Sequence, residues 1–454
     1  MKLSTLIFSA TLALGSNSYA APSGEDAARL GKELTPVGAQ RAGNQDGSIP
    51  EWTGGELKAP AGWKVGQPRP DPYSSESRLF SIDASNVDKY RDRLAPGQVE
   101  MVKTVPGYRI DVYPTHRSCG YPESFYERTM RNATTAKLAA DGYDVAEAIG
   151  AAVPFPIPRN GSEAMWNHKL NWKGEGFHLS YEGFIPPKGS ESLGEPLEQE
   201  EWQTSPMWSP ANKGIGEARG IEFQYLNVFQ GPPSIAGDAT LAQYNLSKPN
   251  DIWLYFASQR RVRRAPTYQY DAPQLDTENL LIVDQYLQFN GRLDRYEFRL
   301  AGKKELYVPY NTYRLNSTQN KPEDVARPKF FNRDLVRYEL HRVWVVEATL
   351  KEGMRHTFPK RTFYLDEDTW LILVEDMYDA QNKVWRTLEM GPYMAWEIPA
   401  CVWMANSSYD HLAARVVLDR ILAGKKEPDW LATREGRLRE GVFEPDGLRR
   451  FATR

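Results

Sequence analysis

The chain has 454 residues, a formal charge of −3 at neutral pH and 25% charged residues. That length can bury a large core and corresponds to one elaborate domain or two. Mild acidity gives no electrostatic footprint for nucleic acid.

The first twenty residues read as a secretory signal: Lys2 supplies the positive start, Leu6 to Leu14 the short apolar core, and Ser18-Tyr-Ala20 the small-residue cleavage site. The apolar core is too short to span a bilayer. Cleavage removes Lys2, takes the charge to −4 and predicts a mature chain starting near Ala21, with no cysteine at the cut to carry a lipid. No later apolar run approaches membrane-spanning length, so the expected compartment is the periplasm of a Gram-negative cell. Thirteen tryptophans, within 12% aromatic content, suit a β protein whose rings fill a wide core or line an apolar cavity. An oxidising compartment permits a bridge between Cys119 and Cys401. Sequence leaves that bridge and two buried thiols as open alternatives.

A capped start at Ser23-Gly-Glu-Asp26 predicts a short helix ending near Leu34. Residues 35–71 are dense in Gly and Pro yet carry Trp52 and Trp63, which predicts an ordered strap over the domain. Helix is expected over Ser124–Ala140 and again over Asp144–Ala151, giving a helical plug across 122–151. Val153-Pro-Phe-Pro-Ile-Pro158 breaks it, since each proline removes a donor and restricts its predecessor. Strand pairs are expected at Asn167–Trp172 with Gly176–Phe184, then strands at Gly220–Val228 and Ile252–Arg264, with a mixed segment over Glu278–Asn290. Arg292–Leu300 and Glu305–Tyr310 read as a hairpin around Ala301-Gly-Lys-Lys304.

The clearest run follows. Tyr338–Leu350, Lys360–Leu365, Leu371–Tyr378 and Val384–Met390 are β-branched and aromatic segments separated by Lys351-Glu-Gly353, Asp366-Glu-Asp368 and Asp379–Lys383. Neighbouring strands so joined pair antiparallel by default. Val402–Asp410 and Ala413–Ile421 complete a main sheet over 165–421, and 434–454 reads as a charged surface tail. The fold class is α+β, mainly β: a large curved antiparallel sheet with helices on its concave side. Both faces of Ile252-Trp-Leu-Tyr-Phe256 and of Arg342-Val-Trp-Val-Val346 are apolar, which requires cover on both sides or a cavity on one.

Several phrases resemble the secreted bacterial family known as domain of unknown function 1329: Leu34-Thr-Pro-Val-Gly-Ala-Gln-Arg-Ala-Gly43 with Asp46-Gly-Ser-Ile-Pro-Glu-Trp-Thr-Gly-Gly55, Pro154-Phe-Pro-Ile-Pro158 with Gly161-Ser-Glu-Ala-Met-Trp-Asn-His168, and Gln259-Arg-Arg-Val-Arg-Arg-Ala-Pro266. The resemblance implies kinship with the lipoprotein-sorting carriers LolA and LolB, which have an incomplete β-barrel, helices in its mouth and a cavity for acyl chains. On that reading residues 21–454 form a single half-barrel domain. The resemblance also implies partners among RND-type exporters and outer-membrane proteins, and it carries over no catalytic residue and no cofactor.

Trp253, Tyr255, Trp344 and Val346 are the candidate cavity liners. Arg260, Arg261, Arg263 and Arg264 are candidate contacts for an anionic headgroup, because the guanidinium fork grips phosphate or carboxylate in two places; salt bridging to acidic strands is the structural alternative. Ser407, Ser408, Asp410 and His411 are too local to converge as a triad, and no Gly-x-Ser-x-Gly elbow is present. His168 with His178, and His341 with His356, could meet across hairpins, but no motif at metal spacing accompanies them. Asn44-Gln-Asp46-Gly47 lacks the spaced carboxylates of a calcium loop. The expectation is a non-enzymatic periplasmic carrier for a lipid or other hydrophobic molecule serving an envelope export system. A non-carrying accessory subunit is the alternative, and an envelope hydrolase a distant third.

Overall fold

The computed structural model describes residues 24–211, 214–438 and 440–452, so the predicted signal over 1–20 lies outside the described residues. In chain order the strands are β1 (Phe80–Ile82), β2 (Ile110–Val112), β3 (Lys137–Leu138), β4 (Val145–Glu147), β5 (Gly176–Phe184), β6 (Leu197–Thr204), β7 (Ile221–Gly231), β8 (Ala239–Asn245) and β9 (Asp251–Phe256). They continue with β10 (Arg261–Arg264), β11 (Tyr296–Pro309), β12 (Tyr338–Leu350), β13 (Lys360–Asp366), β14 (Ile372–Tyr378), β15 (Val384–Ala395), β16 (Ala400–Asp410) and β17 (Arg415–Ile421). The α-helices are α1 (Gly24–Ala27), α2 (Pro96–Thr104), α3 (Glu123–Thr135), α4 (Gly161–Lys169), α5 (Pro322–Val325) and α6 (Pro445–Ala452).

Strands β3 and β4 form a small separate hairpin, and the other fifteen make one sheet. Its main row runs β11, β12, β13, β14, β15, β16, β17, β5, β6, β7, β8, β9, β10, all antiparallel. Strand β2 joins β12 in parallel through Tyr338 and Val112, with β1 outside it. A flat sheet would set β11 and β15 about 19 Å apart at ~4.8 Å per strand. Instead Thr312, just past β11, donates its backbone N–H to Pro392 O in β15 at 3.0 Å. The row therefore curls on itself without closing into a barrel.

The mainly β architecture and the run β12 to β15 match the sequence expectation, β12 to the residue. Several local readings are corrected, among them the strand expected over Ile252–Arg264, which is the hairpin of β9 and β10. Asn167 lies in α4, not in a strand, because Asn160 caps that helix by accepting from Glu163 N at 2.9 Å. The expected hairpin around Gly302 is one continuous strand, β11. Gly302, with φ of 105°, sits at a bulge opposite Val345 instead of in a turn. Residues 144–151 hold β4 in place of a helix.

The apolar core covers both faces of the central strands. Phe363, Leu365, Ile372 and Val374 are fully buried beside Met165 and Trp166 of α4. Helix α4 enters this interior at Gly161, where a Cβ would fall 2.5 Å from the carbonyl carbon of Phe298. Residues 35–71 lie irregularly across the sheet and are pinned at several points, among them Trp52 and Arg69. Trp52 donates Nε1–H to Cys119 O, and Arg69 pairs with Glu397 at 2.8 Å over the rings of Trp63, Tyr393 and Trp396. Cys119 and Cys401 are joined in a disulfide with a Cα–Cα distance of 5.4 Å, tying the start of α3 to β16. The C-terminal segment is no free surface tail: Leu438, Phe443 and Leu448 are buried against β7, β8 and β9.

Candidate ligand cavity

Side-chain alternation turns Tyr181 of β5, Gln199 of β6, Tyr225 and Asn227 of β7 and Thr240 of β8 to one face of the sheet. The irregular segment 268–286 lies over that face and contributes Tyr268, Leu275, Leu281, Val283 and Tyr286. Between them is a hollow of about 90 Å³. Residues 268–290 hold six non-glycine residues at positive φ: Tyr270, Asp276, Glu278, Asn279, Leu287 and Gln288. Each costs on the order of 1 kcal/mol relative to an ordinary conformation. Such a segment keeps its shape only through its contacts.

Arg420 organises the floor. It lies in β17 where the pairing with β5 shifts register between Leu418 and Ile421, and its φ is 58°. A bulge of this kind re-aims one side chain. Here it drives a guanidinium that is only 2% exposed into the interior. Arg420 pairs with Glu201, donates to Tyr286 Oη at 3.2 Å and lies 4.5 Å over the Trp403 ring. Glu201 also accepts from Tyr286 Oη at 2.8 Å and from Gln203 Nε2 at 2.8 Å, and Asn227 Nδ2 donates to Tyr181 Oη at 3.2 Å. Burial, with Glu201 nearby, holds the Tyr181 and Tyr286 hydroxyls well above their ordinary titration range, so they remain neutral. The Glu201 and Arg420 charges cancel. The walls offer ring faces, hydroxyls, amides, a few aliphatic side chains and the carboxyl group of Asp419, which lies 4.0 Å from Arg420 Nε. This arrangement can hold a molecule; it contains no activated nucleophile.

Size limits what fits. The hollow is smaller than the roughly 150 Å³ cavity that admits benzene. A long alkyl tail enters only if segment 268–286 moves. A second, more open groove of about 660 Å³ lies between the β3–β4 hairpin, the start of α4 and the start of β11, with Lys137, Arg159, Glu163 and Lys351 on its walls.

The residues singled out from sequence are scattered. Trp253 and Tyr255 face away from the hollow, against Leu226, Leu241 and the C-terminal segment, while Ile252 and Leu254 point to its side of the sheet. Trp344 stacks on Trp370 at 5.7 Å beneath Lys303, and Val346 is fully buried in the core. Arg261, Arg263 and Arg264 are exposed on the end strand β10, and Arg260 is exposed in the preceding turn. Arg264 pairs with Asp251 and Arg263 donates to Gln259 at 2.7 Å. Asp410 is held by Arg386 and Trp385, while His411 bonds Thr387, so no triad assembles with Ser407 or Ser408. His178 stacks on Trp202, and His168 bonds Leu287 O at 2.9 Å; neither meets the other. His341 and His356 are also apart, bonded to Glu339 and Asp284 respectively. Glu201, Tyr286 and Arg420 escape sequence reading because their convergence joins β6, β17 and an irregular segment. The one local signal is the charged pair Asp419-Arg420 interrupting the apolar residues Val416, Val417, Leu418 and Ile421.

Among the described residues, no helix is long and apolar enough to cross a membrane. One His and carboxylate group converges closely enough to hold a cation, His341 with Asp366 and Asp368, and none of the three lines the hollow.

The uncharacterized protein PA3922 of Pseudomonas aeruginosa is 40% identical over 408 residues, 88% of each chain. Among solved structures, a DUF1329 family protein from Desulfovibrio piger is similar over 61% of this chain and 92% of its own at 15% identity, with a TM-score of 0.40. A putative outer membrane lipoprotein-sorting protein domain from Vibrio parahaemolyticus gives 14% identity, the same coverage and a TM-score of 0.40. The LolA superfamily protein NE2245 from Nitrosomonas europaea covers 64% of this chain and 99% of its own, at 11% identity and a TM-score of 0.35. The model of the family described as protein of unknown function (DUF1329) matches residues 81–449, and the chain belongs to that family.

Proposed function

We propose that the protein is a periplasmic carrier that binds a hydrophobic molecule between β5–β8 and segment 268–286. The observation that supports this most directly is a hollow walled by tyrosine rings, Leu275, Leu281 and Val283, whose buried Arg420 is paired with Glu201. Each methylene taken into such a site contributes about 0.8 kcal/mol, so a hydrocarbon admitted by movement of segment 268–286 binds without a specific polar anchor. Withdrawal of the strained segment enlarges the site for a longer chain. The cargo passes, on this reading, to or from an RND-type envelope exporter.

The test is uptake of N-phenyl-1-naphthylamine by the purified chain, with native mass spectrometry for co-purified ligand. The carrier reading expects saturable enhancement of the probe's fluorescence, and Leu281→Trp, which fills the hollow, is expected to lower capacity without lowering the melting temperature. The small volume of the hollow favours a second reading, an accessory subunit that keeps its interior filled. That reading expects no extractable ligand and no probe uptake, together with stable capture by a purified exporter.

A further inference from the structure

The side chains of Glu339, His341 and Asp366 form a chain of contacts inside the protein, at the junction of β12 and β13. All three are buried, Glu339 and Asp366 completely. Glu339 accepts from Arg337, from Asn311 Nδ2 at 3.0 Å and from the His116 backbone N–H at 2.7 Å, which marks it as an ionised acceptor. Its bond to His341 Nε2, at 3.2 Å, therefore has the imidazole donating. In a neutral imidazole that assignment leaves a lone pair on Nδ1. Nδ1 faces Asp366 Oδ1 at 4.0 Å.

Two lone-pair atoms thus confront each other in a buried place. The gap is too wide for a hydrogen bond, so a shared proton does not bridge it. Asp366 Oδ1 makes no hydrogen bond at all, whereas Oδ2 accepts from Thr369 Oγ1 at 2.7 Å and from Tyr310 Oη at 3.2 Å. Those two donors fix the carboxylate with one oxygen left over. The Tyr310 ring, stacked 3.7 Å from the imidazole, fixes the other side. Asp368 completes the group, and one ligand atom from each of the three lies within 4.8 Å of the others. Arg117 grips the Asp368 carboxylate at 2.7 and 2.9 Å, which orients it while leaving lone pairs on both oxygens.

Each neighbouring carboxylate has a cationic side chain against it: Glu339 has Arg337, Glu367 has Arg342 and Lys303, and Asp368 has Arg117. Asp366 alone has no cationic side chain of its own. A buried carboxylate in that position calls for a cation or for neutralisation.

We propose that His341 Nδ1, Asp366 Oδ1 and an oxygen of Asp368 form a structural site for a divalent transition-metal ion such as Zn²⁺. One nitrogen and two carboxylate oxygens are a donor set for such an ion, which sits about 2 Å from each ligand atom, so binding draws Nδ1 and Oδ1 together from their 4.0 Å separation. Glu339 is then the outer carboxylate that sets the tautomer of a metal-bound histidine. The site is independent of the ligand hollow.

The test is metal analysis by inductively coupled plasma mass spectrometry on the full chain, as purified without chelator and again after Zn²⁺ loading and desalting. About one ion per chain is expected, with a melting temperature that falls after chelation. Asp366→Asn preserves shape and removes the free anionic oxygen; it is expected to lose at least tenfold in bound Zn²⁺ and to melt at a temperature indifferent to the metal. Wild-type chain that retains far less than one ion under both conditions overturns the proposal, as does an Asp366→Asn chain that keeps a full complement. The wild-type measurement decides the matter even where the variant fails to fold.

Discussion

Arg420 concentrates the chemistry of the hollow in one side chain. Replacing it by Met removes the cation paired with Glu201, whose carboxylate is completely buried. Loss of one partner of a buried pair costs about 3–5 kcal/mol. Urea unfolding of Arg420→Met is expected to show a loss of that order. Asp376 behaves oppositely. Burial, with Glu389 nearby, pushes its carboxyl up to about 7, although it accepts from Gly97 N at 3.1 Å and Thr387 Oγ1 at 3.1 Å. In the unfolded chain an aspartate titrates near 3.9, so between about pH 4 and 7 the folded state holds the extra proton and stability falls as pH rises. The cost is fully present above the folded value. Asp376→Asn is therefore expected to melt higher than wild type at pH 8, with the advantage shrinking to nothing near pH 4; thermal scans at the two pH values check it.

At the scale of elements, the disulfide and segment 268–290 are opposites. Cys119–Cys401 closes a loop of most of the sheet, with a sequence separation of 282. Its removal through Cys119→Ala and Cys401→Ala together is expected to lower stability by about 2–5 kcal/mol in urea titrations under non-reducing conditions. Segment 268–290 has no place in the sheet ladder, and hydrogen exchange is expected to label its amides well before those of β12 to β15. Legibility follows the same division. Strands β12 to β15 were readable because tight turns link neighbours, so local pattern and pairing agree. Strand β11 was misread because Gly302 signals a turn and a bulge alike. Helix α4 was hidden because its buried surface runs almost all round it, through Glu163, Asn167 and His168 as well as Met165 and Trp166, leaving no amphipathic stripe. The Arg420 site was unreadable because nothing local to β17 announces Tyr286 or Glu201.

The whole molecule depends on its C-terminal segment for cover. Leu226, Leu241 and Tyr255 are buried beneath Leu438, Phe443 and Leu448. A chain truncated after Glu435 bares that apolar face of β7 to β9, and exposed patches of this kind drive association. It is expected to bind anilinonaphthalene sulfonate and to elute from a sizing column as oligomers, where the full chain does neither to the same degree.

The seating of β17 beside β5 has a consequence for biogenesis. During synthesis the N-terminal half of the polypeptide emerges with one flank of β5 unsatisfied, because its neighbour β17 is made almost last. Until the final strands are made, the nascent chain presents an open edge to any other extended segment.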